Sequence, residues 1–436
     1  MYWVNKSIHL FNRLRRQLLT LLAVIGPGII VMVADNDAGG ISTYAVTGSK
    51  FGFNFLWIFF ILIPMVYYVQ EMTMRLGAVT KRGHAQSVFE GFGPFWGWFS
   101  VCDLALINWL TLITEYIGMM EAMSIFGIPP GITFIVVSLV MMAIVMSGKY
   151  WTFEKLTLLF CMFNLAFIPA ALWAMKMPDA PSWGAVGKGF IFPEFPGGLT
   201  GEVIFMIMAN IGTTITPWQI VFQQSAVVDK GMDVKDIKFG KWDTAFGSVF
   251  TCMVAIFIII ATGAAFYYHK PSPIVIEDAK QTADAFTPLM GEWARRLFAI
   301  GLFDAGFLGA LCISLSTSWA MGEVFGWAHS LNKSVREAPW FYVAYLGLLL
   351  SAGGVVLIPG APLIQITMYV QVVAVTLLPA CLIFLIILSN DKPLMGEYAN
   401  TRWQNFANVS IAALVIVMST LYAVTSLFPN LLTKGS

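Results

Sequence analysis

The chain has 436 residues, 58% of them hydrophobic and 11% charged, with a formal net charge of +1 and a mean hydropathy of +0.77. That composition excludes a soluble globular chain, and the near-neutral charge offers no basic footprint for nucleic acid. Apolar runs of about 20 residues recur along its length, so the chain reads as an all-α polytopic membrane protein in the cell membrane.

Residues 1–19 form a polar, basic segment with Lys6, Arg13, Arg15 and Arg16. No small-residue cleavage site follows, so the segment reads as a cytoplasmic tail and not a signal peptide. Hydropathy and Gly/Pro punctuation predict eleven spans: 20–47, 52–77, 96–125, 131–147, 152–176, 201–228, 243–268, 294–327, 339–358, 361–389 and 404–429. Lys and Arg in alternate loops test the orientation. Seventeen lie on the side of the N-terminus and eight on the other. The positive-inside rule therefore predicts a cytoplasmic N-terminus and an extracellular C-terminus. The outer loops 177–200 and 269–293 are the longest. Five cysteines (Cys102, Cys161, Cys252, Cys312, Cys381) lie in apolar stretches without CxxC spacing and read as core residues. Trp96, Trp98, Trp151, Trp183, Trp293 and Trp340 sit at span ends, as interfacial anchors do.

Two spans are interrupted. In the first, Gly26-Pro-Gly-Ile-Ile-Val-Met-Val-Ala-Asp-Asn-Asp-Ala-Gly-Gly40 places Asp35, Asn36 and Asp37 within an apolar run. An intramembrane charge costs about 2.5–3.5 kcal/mol on insertion scales, so it demands a partner or a wet cavity. In the sixth, Pro217 removes a backbone donor and predicts a break near Ile215–Thr216. The breaks lie five spans apart, an odd number, so the two halves have opposite topology. Corresponding broken helices in inverted halves point to a transporter site at the midplane. Asp37 has a second reading, as the N-cap of the helix that resumes beyond it. Thr216 and Gln371 likewise have structural readings, as a hydroxyl bonded back to its own helix and as an interhelical amide. The four histidines, His9, His84, His269 and His329, fall at predicted loop or tail positions. Glu115 and Asp304 are intramembrane acids, and interhelical hydrogen bonding is the expected role of Glu115.

The order Gly-Pro-Gly, Ala-x-x-Asp with a helix break, then Thr-Pro in the sixth span resembles the NRAMP family of divalent-metal transporters. Gly301-Leu-Phe-Asp-Ala-Gly306, Gln371-Val-Val-Ala-Val-Thr-Leu-Leu-Pro379 and Asn390-Asp-Lys-Pro-Leu-Met-Gly-Glu397 extend the similarity over residues 20–427. The resemblance implies a LeuT-type fold of two inverted five-span repeats, 20–176 and 201–389, joined by the outer loop 177–200. Residues 390–436 would add the eleventh span and the outer C-terminus. The departures from the family pattern matter. Its span-1 aspartate is kept as Asp37, but its asparagine ligand position is Gly40. Its span-6 methionine is Thr216, the following histidine is Trp218, and a second histidine position is Gln223. An aspartate of span 3 is Leu112, with Glu115 retained. This pattern resembles the prokaryotic NRAMP-related magnesium transporters.

The resemblance implies a metal site of Asp37, Thr216, the Gln371 side chain, carbonyls freed near Ala34 and Thr213, and the space left at Gly40. A thioether favours softer metals, whereas a hydroxyl in its place leaves only oxygen donors. Oxygen sites suit Mg²⁺ and Mn²⁺, and Mg²⁺ keeps several waters, so it needs few direct ligands and more room. With both family histidines replaced and Leu112 in place of an acid, uncoupled downhill transport is expected. The competing readings are a proton-coupled Mn²⁺/Fe²⁺ transporter and a sodium-coupled amino-acid carrier on the same fold. No nucleotide-binding motif is present, so neither an enzyme nor an ATP-driven pump is expected. Nor is a cofactor expected, the metal ion being the substrate. A monomer in the lipid bilayer is the expected assembly.

Overall fold

The structure, a computed structural model, describes residues 26–195, 198–269, 273–274, 276, 279–360 and 363–427. Its regular elements are all helical: α1 (Pro27–Ala34), α2 (Ala38–Phe51), α3 (Ile58–Thr80), α4 (His84–Phe92), α5 (Pro94–Ile125), α6 (Pro130–Val145), α7 (Tyr150–Ala174), α8 (Trp183–Ile191), α9 (Gly201–Thr214), α10 (Pro217–Lys230), α11 (Ile237–Thr262), α12 (Ala279–Met290), α13 (Glu292–Phe325), α14 (Pro339–Val356), α15 (Leu363–Asn390) and α16 (Arg402–Leu427). Prolines open several of them at the first turn, where no intrahelical N–H is needed, as at Pro94, Pro130 and Pro339.

Among the described residues, eight helices are long and apolar enough to cross a membrane unaided. The other predicted spans are the broken first, the charged second and the short fourth. The second begins at Ile58, not 52, because residues 52–57 form turns, and it runs on to Thr80. It carries Glu71 and Arg75 paired inside the protein at 3.0 Å. Residues 20–25, 361–362 and 428–429 of the predicted spans lie outside the described residues. Two predicted loops contain helices, α8 and α12, and the link between the second and third spans forms α4.

The predicted breaks are where the chain departs from helix. Asp35 closes α1 and Asp37 opens α2 in extended conformation. Ile215 and Thr216 are both extended between α9 and α10. The architecture is the LeuT-type inverted repeat with broken helices 1 and 6 and an added eleventh span. Around the breaks, α13 lies along α5, α9 against α15, and α11 against α1, α2 and α3. Outward-facing Trp96, Trp98, Trp151, Trp183, Trp293 and Trp340 are exposed, as membrane-interface anchors should be. Cys102 is exposed, unlike the four buried cysteines, because its face of α5 points outward.

The two half-helices α1 and α10 are fastened by buried charge. Asp243 of α11 accepts hydrogen bonds from the amides of Gly26 (3.2 Å), Gly28 (2.7 Å) and Ile29 (3.2 Å), capping α1. Lys230, the last residue of α10, pairs with Glu154 of α7 at 2.6 Å, both side chains almost wholly buried. Gly26 lies directly on that pair, where any side chain would collide with the Glu154 carboxylate. Removing one partner of a buried pair strands the other charge, at a cost of about 3–5 kcal/mol. Lys230→Met should therefore lower the midpoint of thermal unfolding in detergent, and Lys230→Met with Glu154→Leu should recover most of the loss.

Candidate functional site

Each half of the first span brings its end to the break. Asp37 caps α2, its Oδ1 accepting from the Gly40 amide at 2.6 Å. Capping satisfies one oxygen and leaves Oδ2 buried without a partner. The Ala38 amide, which in a continuous helix would bond the Ala34 carbonyl, donates instead to Glu115 Oε2 of α5 at 3.0 Å. That bond diverts the donor that Ala34 would have had. In the sixth span, the donor that the Thr213 carbonyl would meet four residues on is Pro217, which has no N–H. Both carbonyls named from the sequence are thus released from their helices.

The half-helices meet across this gap. A carbon placed on Gly40 would stand 2.7 Å from Thr213 Oγ1, 3.1 Å from Asp37 Oδ1 and 3.3 Å from the Asp35 carbonyl. The Thr213 hydroxyl, in addition to its carbonyl, therefore faces Asp37; the sequence reading had only the carbonyl. The Gln371 amide end presses on Gly39 next to Thr114, and the Gln371 backbone lies against Gly212. Asp37, Gly40, Thr213 and Gln371 are brought together. Thr216 starts α10 in a capping box with Gln219: its amide donates to Gln219 Oε1 at 3.2 Å and its hydroxyl turns toward the Gln219 amide without closing a full hydrogen bond.

The polar atoms left over define the site. Asp37 Oδ2, Thr213 Oγ1, Thr216 Oγ1 and Gln371 Nε2 are buried and have no hydrogen-bond partner among the described residues, and neither does any side-chain oxygen or nitrogen of Asp35 or Asn36. Buried polar groups are normally satisfied, and such a concentration marks a place for an ion or its water. The Asn36 side chain bonds no described residue. Glu115 makes the interhelical contact expected of it, and its carboxylate and the Asp37 side chain lie side by side against Gly309. Among the described residues, no three His, Cys, Asp or Glu side chains form a metal cage. The available donors are one or two carboxylates, hydroxyls, an amide and carbonyls.

Above the site, α2 and α9 are joined by neutral bonds, Tyr44 to Thr214 at 3.0 Å and Asn210 to Thr47 at 2.9 Å. An exposed pair, Lys50 with Glu202 at 2.8 Å, closes this seam. Below it, Trp218 is fully buried and packs edge-on to Phe222, which meets Trp319. Gln223 donates to Thr244 at 3.1 Å. His84 corrects the expectation of a loop position: it opens α4, fully buried, beside Gln224 (3.3 Å) and Cys381 (3.4 Å). Burial pushes its imidazole down to about 4. His9 lies outside the described residues.

Known proteins resemble this chain in sequence and in fold. The sequence profile of the Nramp family, described as natural resistance-associated macrophage protein-like, matches residues 28–425. A divalent metal cation transporter MntH of Brucella suis is 24% identical over 95% of this chain and 91% of its own length. One from Listeria monocytogenes is 25% identical, covering 93% and 91%. Among solved structures, a variant of the Eremococcus coleocola manganese transporter superposes with a TM-score of 0.75 at 20% identity, covering 95% of this chain and 89% of that one. MhsT in complex with L-phenylalanine gives 0.64 at 15% identity, covering 93% and 97%.

The space at Gly40 is testable apart from transport. Gly40→Ala should lower thermal stability, because its new carbon meets the Thr213 hydroxyl. Adding Thr213→Ala should restore most of the loss, so that a double-mutant cycle on melting temperature shows strong coupling.

Proposed function

The chain belongs to the natural resistance-associated macrophage protein-like family, a divalent metal cation transporter of that type, and from this premise we propose that it carries Mg²⁺ and Mn²⁺ downhill without a coupled proton. The observation that carries the reading is the chemistry of the unpartnered atoms at the two breaks. Where a sulfur ligand would select a softer metal, the chain has the Thr216 hydroxyl, and the neighbouring donors are also oxygen-bearing groups. Glycine at position 40 keeps the volume beside Asp37 free for a hydration shell, which Mg²⁺ surrenders reluctantly. In this reading Asp37 binds the ion, Thr213, Thr216 and Gln371 hold it directly or through water, and the carbonyls of Ala34 and Thr213 complete the shell. The pattern is that of the magnesium-transporting branch which the sequence resembles.

Absence of coupling is supported by the side chains along the half-helices. Trp218 and Gln223 stand where a proton carrier would be expected, and His84, with its imidazole near 4, stays neutral at physiological pH. The N-terminus is assigned to the cytoplasm by the seventeen-to-eight distribution of Lys and Arg. One observation favours the proton-coupled alternative: Glu115 lies against Asp37, and two carboxyl groups at one site can share a proton.

Reconstitution into proteoliposomes distinguishes the two. Mn²⁺ uptake should be inhibited by external Mg²⁺, abolished in Asp37→Ala, and accompanied by no acidification of an internal pH dye. Acidification that scales with metal influx would overturn the uncoupled reading; failure of Mg²⁺ to compete would overturn the oxygen-site reading. Gly40→Asn, Thr213→Ala and Thr216→Met in one chain should shift preference from Mg²⁺ toward Mn²⁺, read as loss of Mg²⁺ competition.

A further inference from the structure

Asp304 lies in the middle of α13, within the Gly301–Gly306 motif, and the ion site does not use it. It is 3% exposed. Facing it is an irregularity in α7. That span is α-helical over Tyr150–Cys161, winds as a 3₁₀-helix over Met162–Ala166, and returns to α-helix over Phe167–Ala174. A 3₁₀ stretch inside a long helix often marks a hinge. Asn164 sits at its centre, fully buried, and donates from Nδ2 to Asp304 Oδ2 at 3.0 Å.

The bond leaves two buried atoms over: Asp304 Oδ1 and Asn164 Oδ1, neither with a partner among the described residues. Both are acceptors on an ionised carboxylate and an amide, so neither can satisfy the other. No Lys or Arg pairs with Asp304 in the described ion pairs. Among the described residues, the one other titratable side chain that faces it is the Cys161 thiol of α7, beyond which lies Cys312 of α13. A proton on Asp304 Oδ1 resolves both orphans at once. It turns that oxygen into a donor to Asn164 Oδ1 and closes a ring of two parallel hydrogen bonds between acid and amide.

We propose that Asp304 is held as the neutral acid in a two-way pair with Asn164, and that this pair clamps the 3₁₀ hinge of the fifth span onto the eighth. Asp304 is a positioning residue and does not touch the ion. Five residues further along α13, about 7.5 Å by helical rise, Gly309 packs against the Glu115 carboxylate and the Asp37 side chain. The clamp thus sets the register of the wall on which Asp37 rests. When the hinge parts, the acid meets water, its O–H bond breaks, the proton passes to water, and an exposed carboxylate remains. When the hinge closes, the carboxylate takes a proton back. An opening to one side returns the proton to the compartment it entered, so the rate depends on pH while no proton crosses. This consequence rests on the uncoupled reading; the protonated pair itself does not.

Infrared difference spectra of the full-length protein in membranes test it, native minus Asp304→Asn. The native protein should show a hydrogen-bonded carboxylic acid C=O band at neutral pH that Asp304→Asn lacks. Asn in that position can still donate and accept toward Asn164, so the variant should transport and keep its Mg²⁺ competition. Its uptake should be flat across the pH range in which native uptake falls as pH rises. A native spectrum with no acid band attributable to Asp304 overturns the proposal, as does an unchanged pH profile in the variant. Asn164→Ala is the second variant: the acid band should persist but move to the position of an unpaired acid, and a band that stays put overturns the pairing. None of these outcomes bears on Mg²⁺ selectivity, so the metal reading stands or falls separately.

Discussion

In a membrane, a backbone carbonyl or amide that loses its helical partner has no water to turn to, and this rule governs everything near the centre of the molecule. The protein breaks two helices at matched depth and re-satisfies only part of what it frees. The Gly40 amide goes to Asp37 and the Ala38 amide to Glu115, so two donors of the first break find new partners. The Ala34 carbonyl loses its helical donor in the exchange. Proline at 217 has the same effect in the sixth span, deleting a donor and leaving a carbonyl. The result is a cluster of unpartnered carboxylate and hydroxyl oxygens beside freed carbonyls, with the Gln371 and Asn36 amide nitrogens among them, which is the setting the proposed cation site requires.

The elements on either side of the site are held by different physics. Toward α2 and α9 the contacts are hydroxyl and amide bonds, each worth about 0.5–1.5 kcal/mol net, with one exposed ion pair that salt can screen. Toward α1 and α10 they are buried carboxylates with a lysine and three amides. Neutral bonds can be exchanged for water one at a time as a crevice wets. Buried charges part together or not at all, because a half-broken set strands a charge. The two barriers of an alternating carrier are thereby unlike in cooperativity as well as in strength.

Much of this was legible in the residue order, for a local reason. Pro217 and the Asp37–Gly40 run break helices through their own covalent geometry, and the breaks fall where they were expected. The proposed ligand types rest on resemblance to a family and on this chain's departures from its pattern. What stayed hidden depends on partners far away in the chain. Asp243 looks like a loop-proximal charge until its contact with Gly26, 217 residues earlier, is seen. His84 looks like a loop residue because its burial comes from Gln224 and Cys381. Thr213 faces the site with its hydroxyl only because α9 approaches α2 closely at Gly40, a distance that no pattern of residue types encodes. The helices α8 and α12 hid in loops for lack of a long apolar run.

The open second oxygen of the Asp37 carboxylate has an electrical consequence. In the proposed reading, with Asp37 as the one charged ligand, the loaded site would be net positive and the empty one net negative, so both strokes of the cycle would move charge through the bilayer. A divalent ion crossing about 100 mV, negative inside, gains roughly 4.6 kcal/mol, at about 2.3 kcal/mol per elementary charge. That corresponds to accumulation on the order of a thousandfold, at 1.36 kcal/mol per factor of ten. A carrier with no second ion to drive it would still concentrate its cargo, with the voltage of the cell as its power supply.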